Sequence, residues 1–247
     1  MKILAIDTSG QEAGAAIIDD YIIIGEILLN ARTGEKSWTH SEILMPGIDQ
    51  LFSLTGINME QIDYVAYTSG PGSFTGLRIG ASTALGLAKG LNIPTIPVPT
   101  LCSLAYNMLG TGNDGLVIPM MDARRGQVYS AVYRQGEGGT LTRTTDYMAL
   151  PVDELLAQIQ LVRKSDQLKN VIFLGDGAQA YNETIKTALP YAIFAPPNNN
   201  RQRASSAAVW ALEQIKAGYT QSNTVDILYV RAPQAVQDLK NKAAKNS

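Results

Sequence analysis

The sequence predicts a two-lobed α/β protein built from a duplicated unit. Each half of the chain shows the same order of signals: a strand, a hairpin, a helix, a second strand and a second helix. The first strand of each half ends in an aspartate, Asp7 in one half and Asp122 in the other. A repeated strand and helix pattern of this kind predicts two similar lobes with a cleft between them.

The composition fits a globular protein without an overall attraction to nucleic acid. The 247 residues are 45% hydrophobic, and 20 basic against 22 acidic residues leave a net charge of -2. The single cysteine, Cys102, excludes an internal disulfide and suits a reducing compartment. The chain begins directly in a strand-like run, without a signal-peptide layout, and no apolar run is long enough to span a bilayer. We therefore expect a cytoplasmic protein that does not contact a membrane.

The N-terminal lobe is predicted over residues 1–99. Its expected elements are a strand over 1–7, a hairpin with strands over 13–18 and 21–29, a helix over 37–54, a strand over 62–67, a helix over 75–91 and a strand over 94–98. Pro46 and Gly47 fall inside the first helix, so we expect it to be kinked or split in two there.

The C-terminal lobe is predicted over residues 100–217, followed by a C-terminal segment over 218–247. Its expected elements are a strand over 116–121, a hairpin with strands over 127–133 and 141–147, helices over 152–162, 178–188 and 205–217, and a strand over 170–174. Pro119 inside the first strand suggests an edge position or a bulge. The last helix could pack back on the first lobe, and the chain is expected to fray after about residue 234 because few apolar residues follow.

A glycine-rich stretch, residues 68–80, joins a predicted strand to a predicted helix. The run Gly70-Pro71-Gly72 lets the backbone turn sharply, and Ser73 or Thr75 can cap the helix. A strand, a glycine turn and a helix N-terminus together can form an anion site. Because the spacing matches neither the Walker nor the dinucleotide fingerprint, the residues alone favour a structural turn.

The helix after this turn has few charges and a stripe of small residues. Gly76, Gly80, Ala84 and Ala88 recur at every fourth position and therefore lie on one face. A helix on the outside of a sheet normally shows a wide polar face, which this helix lacks. Two interpretations remain open: an internal helix covered by its own domain, or a helix covered on one side by its sheet and on the other by a second chain.

The two lobes resemble the superfamily of actin, sugar kinases and heat-shock ATPases, which has a duplicated ribonuclease H-like fold. Within it, the sequence is similar to the TsaB (YeaZ) family through these runs: residues 1–9 (MKILAIDTS), His40-Ser41-Glu42, residues 69–80 (SGPGSFTGLRIG), Asp122-Ala123-Arg124, Gly175-Asp176-Gly177-Ala178 and residues 229–233 (YVRAP). The similarity extends from residue 1 to about residue 233, and the run Gly-Pro-Gly-Ser-Phe-Thr-Gly-Leu-Arg is highly specific.

The resemblance implies a function in tRNA modification. A TsaB protein is expected to be a non-catalytic subunit that binds and activates the TsaD-type transferase as a heterodimer, with a TsaE-type ATPase, in forming threonylcarbamoyladenosine in tRNA. It would contact tRNA only through the complex, form a homodimer when alone, and need no cofactor. The alternative within the same superfamily is a nucleotide-dependent small-molecule kinase or transferase.

The partner interface is expected on the helices predicted over 37–54 and 75–91, as a helical bundle with their counterparts on TsaD. The residues expected to form it are His40, Ile43, Leu44, Leu51, Gly76, Gly80, Ala84 and Leu87.

The sequence predicts no catalytic residue and no metal site. TsaD-like enzymes hold a metal with a His-x-x-x-His pair, whose spacing places two imidazoles on one helix face. Here the first position is His40 and the second is Leu44, and the chain has no other histidine. We therefore expect His40 to pack or to cap a helix. The same composition gives no support to a Ser-His-Asp or Cys-His protease.

A degenerate nucleotide site remains possible between the lobes. Its candidate residues are Asp7, Thr8, Ser9, Asp122, Arg124, Gly175 and Gly177. Phosphate loops need small residues, whereas Arg124 and Arg125 stand where glycine would allow close approach. The two arginines could instead bind a phosphate or an acidic partner. Asp7 and Asp122 could hold hydrated magnesium, but a structural role, in which they accept bonds from strand-end amides, is favoured.

Overall fold

A computed structural model describes residues 1–30, 32–33, 36–111, 115–166, 168, 170–219 and 226–230. The described strands are β1 (Lys2–Asp7), β2 (Glu12–Asp19), β3 (Ile22–Asn30), β4 (Arg32–Thr33), β5 (Lys36–Ser37), β6 (Tyr64–Gly70), β7 (Thr95–Pro99), β8 (Gly115–Arg124), β9 (Gln127–Ser130), β10 (Tyr133–Gln135), β11 (Leu141–Arg143), β12 (Met148–Pro151), β13 (Asn170–Leu174) and β14 (Ile193–Phe194). The described helices are α1 (His40–Thr55), α2 (Phe74–Leu91), α3 (Thr100–Tyr106), α4 (Val152–Asp166), α5 (Asp176–Ala180), α6 (Asn182–Ala188) and α7 (Ala204–Lys216).

Two sheets with the same strand order confirm the predicted duplication. The first sheet has the order β3-β2-β1-β6-β7, and the second has β11-β10-β8-β13-β14, with β9 and β12 attached to β8. In each sheet the first three strands of the unit are antiparallel, and the last two lie parallel to the first. The carboxyl ends of β1 and β8, which carry Asp7 and Asp122, therefore occupy corresponding places in the two lobes.

The two lobes are joined by an exchange of helices. α3 follows the first sheet in the chain but packs its apolar residues on the second sheet, against Val117, Ile172 and Leu174. α7 follows the second sheet but packs on the first, where Ala204, Ala208 and neighbouring residues meet β1 and β2. Because each helix covers the sheet of the other lobe, the two cores are tied together through the contact between α3 and α7.

α1 and α2 cover the opposite face of the first sheet, where they share one apolar core. Leu44, Ile48 and Leu51 of α1 meet Ala81 and Ala84 of α2 in this core, above strands β1 and β6. α2 begins after Ser73, whose side chain accepts a hydrogen bond from the Gly76 amide at 3.2 Å. This helix covers the predicted range with one additional residue at its start.

Several elements differ from the sequence-based expectation. α1 is not split at Pro46, because this proline lies on the exposed face, where water can satisfy the carbonyl group that loses its partner. The helix expected over 178–188 is two helices, α5 and α6, which meet at Tyr181. α3 was not predicted, since it is short and buried along its whole length and so shows no amphipathic period.

Pro119 was expected at an edge or a bulge, and β8 is instead a central strand of its sheet. The proline is tolerated because β8 changes its antiparallel partner at this point, from β10 near Val117 to β9 near Met120. Because Pro119 lies between these two pairings, its missing amide hydrogen removes no hydrogen bond from the β8–β10 or the β8–β9 pair. No helix among the described residues combines the length and the apolar character that a membrane crossing requires.

The packing of α2 on β1 predicts opposite effects for two glycine substitutions. A Cβ atom at Gly76 would overlap the Thr8 carbonyl oxygen, so Gly76→Ala is expected to lower the free energy of unfolding by about 3 kcal/mol. A Cβ atom at Gly86 meets no atom within 4 Å, so Gly86→Ala is expected to raise it by about 1 kcal/mol. Urea denaturation followed by circular dichroism measures both variants. If Gly76→Ala and Gly86→Ala changed the free energy of unfolding equally, the described packing of α2 on β1 would be contradicted.

Candidate functional site

The lobes face each other across a cleft of about 700 Å³. The N-terminal lobe contributes residues 9–11, residues 38–40 and the loop that leads into α2, and the C-terminal lobe contributes residues 121–124 and Asp176. Residues 228–230 return from the C-terminal end of the described chain and form one further side. The candidate site is this cleft together with the two helices, α1 and α2, that flank it.

Asp7 is buried behind the cleft and has a structural set of hydrogen bonds. Its Oδ1 atom accepts bonds from the Ser9 amide at 2.9 Å, the Ser9 hydroxyl at 2.6 Å and the Thr68 hydroxyl at 3.1 Å. Its Oδ2 atom has no partner among the described residues. Burial raises the pKa of the Asp7 carboxyl group, although the bonds from Ser9 and Thr68 oppose that shift.

Thr8 attaches α2 to the end of β1. Its hydroxyl donates a hydrogen bond of 2.8 Å to the carbonyl oxygen of Gly76. Added Cβ atoms at Gly76 and Gly80 would overlap the backbone oxygen and the hydroxyl of Thr8, respectively. These two glycines are therefore required for the close approach of α2 to β1. The side chain of Thr8 is fully buried and faces this contact.

Asp122 repeats the role of Asp7 in the second lobe. Its Oδ1 atom accepts a hydrogen bond of 2.8 Å from the Arg124 amide, two residues further along the chain, as Asp7 does from Ser9. The amide of Asp122 in turn donates to Asp176 Oδ1 at 3.1 Å. Both strand-end aspartates thus make the amide contact expected of a structural role. Burial raises the pKa of Asp176, and the nearby charge of Asp122 adds to the shift.

Arg124 and Arg125 form a left-handed turn between β8 and β9. Their φ angles are +64° and +55°, and Gly126 follows at +74°. Residues with side chains adopt such angles uncommonly, at a cost in backbone energy. The turn places Arg124 in the wall of the cleft, where its guanidinium group is exposed to solvent.

Gly175 and Gly177 serve packing rather than an open phosphate loop. The amide of Gly175 donates a buried hydrogen bond of 2.6 Å to Asn200 Oδ1, and its φ angle of +102° suits glycine alone. A Cβ atom at Gly177 would lie 2.9 Å from the carbonyl carbon of Met121. Both glycines let the start of α5 approach β8 closely.

The structure therefore separates the seven nucleotide-site candidates into two groups. Ser9, Asp122 and Arg124 line the cleft. The other four are buried behind it: Asp7, Thr8, Gly175 and Gly177. Their hydrogen bonds and close contacts are made within the chain, which leaves few groups free to bind phosphate.

An aromatic rim of the cleft was not predicted. Trp38, Phe74 and Tyr229 line the cleft and are 46%, 42% and 43% exposed. The rings of Phe74 and Tyr229 lie 5.8 Å apart, and the Arg78 guanidinium group lies 3.7 Å from the centre of the Phe74 ring. Phe74 and Tyr229 occur in the runs that carry the family resemblance, but Trp38 gives no sequence signal.

The segment 226–230 is attached to the glycine-rich loop. The Leu228 amide donates to the Ser69 carbonyl oxygen at 2.8 Å, and the Asp226 amide donates to the Tyr67 hydroxyl at 3.1 Å. A Cβ atom at Gly70 would lie 2.5 Å from the Leu228 carbonyl oxygen. The loop therefore needs glycine at this position because a returning piece of chain packs directly on it.

His40 and Leu44 do not form a metal site. His40 begins α1 and is partly exposed, and its Nε2 atom lies 3.2 Å from the Gln11 carbonyl oxygen. Leu44 is 3% exposed and belongs to the core beneath α1. Across the described part of the chain, no three His, Cys, Asp or Glu side chains are placed to hold a metal ion.

The residues expected at a partner interface fall into two groups. Five are buried within this chain: Leu44, Leu51, Gly76, Gly80 and Ala84. His40, Ile43 and Leu87 are partly exposed. The interpretation in which the small-residue stripe of α2 faces a partner is therefore corrected, because this stripe packs on the chain's own sheet. Sequence alone could not decide this, since a stripe of small residues suits either contact.

The outward side of α2 carries a second row of small residues. Ser82, Gly86 and Gly90 follow each other at every fourth position and are exposed. Added Cβ atoms at the two glycines would meet no atom within 4 Å. Ile79 and Leu87 lie beside this row and are partly exposed. Two cations flank the small residues, because Arg78 is exposed one turn before Ser82 and Lys89 is exposed next to Gly90.

The buried position of Asp7 predicts a pH-dependent effect of Asp7→Asn. Because burial raises the pKa of Asp7 in the folded state, wild-type stability is expected to fall as pH rises through that pKa. The variant cannot ionise and should therefore be more stable than the wild type at pH 7, with the difference shrinking as the pH falls toward about 4. Urea denaturation over this pH range measures it. If the stability of Asp7→Asn relative to the wild type were lower at pH 7 than at pH 4, the raised pKa of Asp7 would be contradicted.

Comparison with known proteins identifies relatives that match most of the chain. A family model described as TsaD, tRNA N6-adenosine threonylcarbamoyltransferase, matches residues 34–244. The chain is 33% identical to the tRNA threonylcarbamoyladenosine biosynthesis protein TsaB of Bacillus subtilis, over 76% of this chain and 77% of that protein. It is 28% identical to the protein of the same name from Haemophilus influenzae, over 93% of this chain and 91% of that protein.

Solved structures agree with this assignment at the level of the fold. The crystal structure of an uncharacterized protein from Pseudomonas aeruginosa, described as similar to peptidase YEAZ, has a TM-score of 0.71 at 21% identity and covers 93% of this chain and 99% of that chain. This similarity, together with the matching strand order of the two sheets, confirms the predicted α/β fold of two similar lobes. The chain belongs to the family that the TsaD model describes and, within it, to the TsaB (YeaZ) proteins.

Proposed function

We propose that this chain is a non-catalytic subunit that binds and activates a TsaD-type transferase during the formation of threonylcarbamoyladenosine in tRNA. A TsaE-type ATPase would work in the same complex. The names of the relatives support the pathway, since TsaB proteins are described as tRNA threonylcarbamoyladenosine biosynthesis proteins. The single observation that carries the non-catalytic role is Leu44, a core residue at the position where a metal-binding enzyme needs its second histidine.

The positions of the single cysteine and the single histidine also support a non-catalytic role. Cys102 is 5% exposed, and its sulfur lies 3.0 Å from the hydroxyls of Tyr133 and Tyr147. Burial raises the pKa of this thiol, which makes the reactive thiolate scarce at neutral pH. His40, the only histidine, lies in the cleft wall, and Cys102 is not part of that wall. These positions do not favour a peptidase.

The outward side of α1 and α2 is the surface that suits a helical partner. On α2, the row formed by Ser82, Gly86 and Gly90 would let a neighbouring helix approach closely. On α1, Met45 is 44% exposed and Leu54 is 73% exposed. We therefore assign the contact with the TsaD-type subunit to this side. Of the eight interface residues expected from the sequence, His40, Ile43 and Leu87 are partly exposed and can contribute to this contact.

Nucleotide binding in the cleft is the second candidate function, and the size of the cleft favours it. About 700 Å³ is enough for a small ligand, and Arg124 offers an exposed cation. The hydrogen bonds of Asp7, Thr8 and Gly175 within the chain argue against it, because these groups would have to leave their present partners. A nucleotide-dependent kinase or transferase activity is accordingly the weaker proposal.

Reconstitution tests the proposed function directly. With purified TsaD-type, TsaE-type and TsaC-type proteins, ATP, threonine, bicarbonate and tRNA, omission of this chain is expected to reduce the modified nucleoside at least tenfold. The chain without the TsaD-type protein should produce none and should hydrolyse no ATP. Mass spectrometry of the digested tRNA measures the product. Transfer by this chain alone, with the TsaD-type protein shown to be absent, would refute the non-catalytic role.

A substitution on the outward side of α2 tests the partner surface. Gly86→Arg is expected to weaken binding to the TsaD-type subunit at least tenfold, about 1.4 kcal/mol, because the long side chain holds a neighbouring helix away. The matched control Leu161→Arg lies on α4, at a residue that is 70% exposed, and should bind normally. Titration calorimetry measures binding, and circular dichroism checks folding. Normal binding by a folded Gly86→Arg variant would place the interface elsewhere.

The isolated chain is expected to bind tRNA weakly at physiological salt. A net charge of -2 supplies no overall positive field, and Arg124 and Arg125 are too few to follow a phosphate backbone. Fluorescence anisotropy with labelled tRNA measures the affinity, with and without the TsaD-type subunit. Tight, tRNA-selective binding by the chain alone would overturn the expectation that the complex supplies the tRNA contact.

A further inference from the structure

The outward side of α2 begins at a shallow pocket that contains one cation. The pocket has a volume of about 360 Å³, and its lining residues are Phe74, Thr75, Arg78, Ile79 and Ser82. Phe74 and Ile79 give it an apolar wall, and Thr75 and Ser82 each bring a hydroxyl group. None of these lining residues is acidic. A side chain with an apolar stem and a negatively charged end would therefore match the pocket.

The guanidinium group of Arg78 is held in place by aromatic contacts. Its Cζ atom lies 3.7 Å from the centre of the Phe74 ring, a cation–π contact. The Tyr229 ring supports Phe74 from the other side of the loop, at a distance of 5.8 Å between ring centres. The segment that carries Tyr229 is itself fixed, because the Leu228 amide donates to the Ser69 carbonyl oxygen at 2.8 Å. Little rotamer freedom is therefore lost when this guanidinium group binds an anion.

The charge of Arg78 is not balanced within the described part of the chain. Arg143, Arg201 and Arg203 each form an ion pair with a carboxylate, whereas Arg78 forms none with a described residue. α2 contains no Asp or Glu, so its first turn lacks the acidic residue that a helix N-terminus favours. The positive end of the helix and the guanidinium group therefore favour an anion in the same place.

The surroundings of the pocket favour a protein carboxylate over a phosphate group of RNA. Ser82 belongs both to the pocket and to the outward row of small residues, so the pocket continues into the surface proposed for a partner helix. A nucleic-acid backbone is bound by several cations along its path. The next cation of α2, Lys89, lies about 16 Å further along the helix axis. One guanidinium group beside an apolar wall is instead suited to a single Asp or Glu side chain.

We propose that this pocket receives an Asp or Glu side chain from a helix of the TsaD-type subunit, whose carboxylate pairs with the Arg78 guanidinium group. The inference rests on the proposed function and deepens it, because it states which chemical group of the partner meets the start of α2. The row of small residues lets the two helices approach, and the ion pair fixes the position of the partner helix along α2. Tyr229 is a positioning residue that acts through Phe74.

Reversal of the charge at residue 78 tests the ion pair. Arg78→Glu is expected to weaken binding to the TsaD-type subunit about tenfold or more, because it brings two carboxylates together. Lys164→Glu on α4, at another exposed residue, makes the same change in net charge and should bind as the wild type does. Titration calorimetry measures the affinity, and circular dichroism checks folding. Wild-type affinity in a folded Arg78→Glu variant would overturn the proposal.

The dependence of binding on salt separates an ion pair from an uncharged contact. Arg78→Met keeps a long side chain and removes its charge. Between about 0.05 and 0.5 M NaCl, the affinity of the wild type for the TsaD-type subunit should fall more steeply than that of this variant, because salt screens the pair at residue 78. An equal dependence on salt in the two proteins would refute the ion pair.

A compensating substitution in the partner identifies the carboxylate. Exposed Asp and Glu residues on the helices of the TsaD-type subunit are changed to Arg one at a time. One of these variants should bind Arg78→Glu about tenfold more tightly than the unchanged subunit does, and should bind the wild-type chain more weakly. If no such variant restored binding, a carboxylate partner of Arg78 would be excluded.

The role of Tyr229 is tested by a double-mutant cycle. Tyr229→Ala is expected to weaken binding roughly threefold, and Tyr229→Phe, which keeps the ring, should bind normally. In the Arg78→Met background, Tyr229→Ala should have no further effect, because its contribution passes through the guanidinium group. The same loss in both backgrounds would contradict this positioning role.

The outcomes distinguish failure of the pocket from failure of the proposed function. If Gly86→Arg loses binding while Arg78→Glu keeps it, the pocket is refuted and the helix surface stands. If the wild type does not bind the TsaD-type subunit, the proposed function fails and the pocket fails with it. Labelled tRNA gives the remaining arm. If Arg78→Glu lowered the affinity of the complex for tRNA but not the affinity between the subunits, the anion would be a phosphate group and the proposal would be wrong.

Discussion

The close approach of α2 to the end of β1 is the contact on which the rest of the structure depends. The Thr8 hydroxyl donates to the Gly76 carbonyl oxygen at 2.8 Å, and side chains larger than hydrogen at Gly76 and Gly80 would overlap Thr8. This contact fixes the direction of α2, and with it the glycine-rich loop and one wall of the cleft. It also directs Ser82 and Gly86 to the outside, where a partner helix has room.

The same contact explains why few polar groups at the end of β1 are free to face the cleft. The polar side chains at the end of β1 bond to each other and to α2, so Asp7 and Thr8 are buried. In the second lobe Asp122 closes its own turn through the Arg124 amide. In both lobes, polar groups at the end of the first strand thus hold the chain together. The outside of α2 remains exposed.

The sequence predicted most of the order of the elements, the duplication and the strand-end aspartates, because these depend on the local hydrophobic period and on turn residues. It also placed α2 to within one residue. It could not tell which side of α2 meets the sheet, since Gly76 and Gly80 suit any close neighbour, and the structure reversed the interpretation that a partner covers them. α3 was missed because a helix buried on all sides has no period, and Trp38 because a single aromatic residue carries no spacing.

Hydrogen–deuterium exchange of this chain, with and without the TsaD-type subunit, tests the central claim that the outside of α1 and α2 is the activating surface. The account predicts that exchange slows severalfold in residues 79–90 of α2 and in α1. It also predicts no change in residues 122–125 of the cleft or in strand β3. Slower exchange confined to the cleft loops, with α1 and α2 unchanged, would contradict the account and would move the contact with the transferase into the cleft.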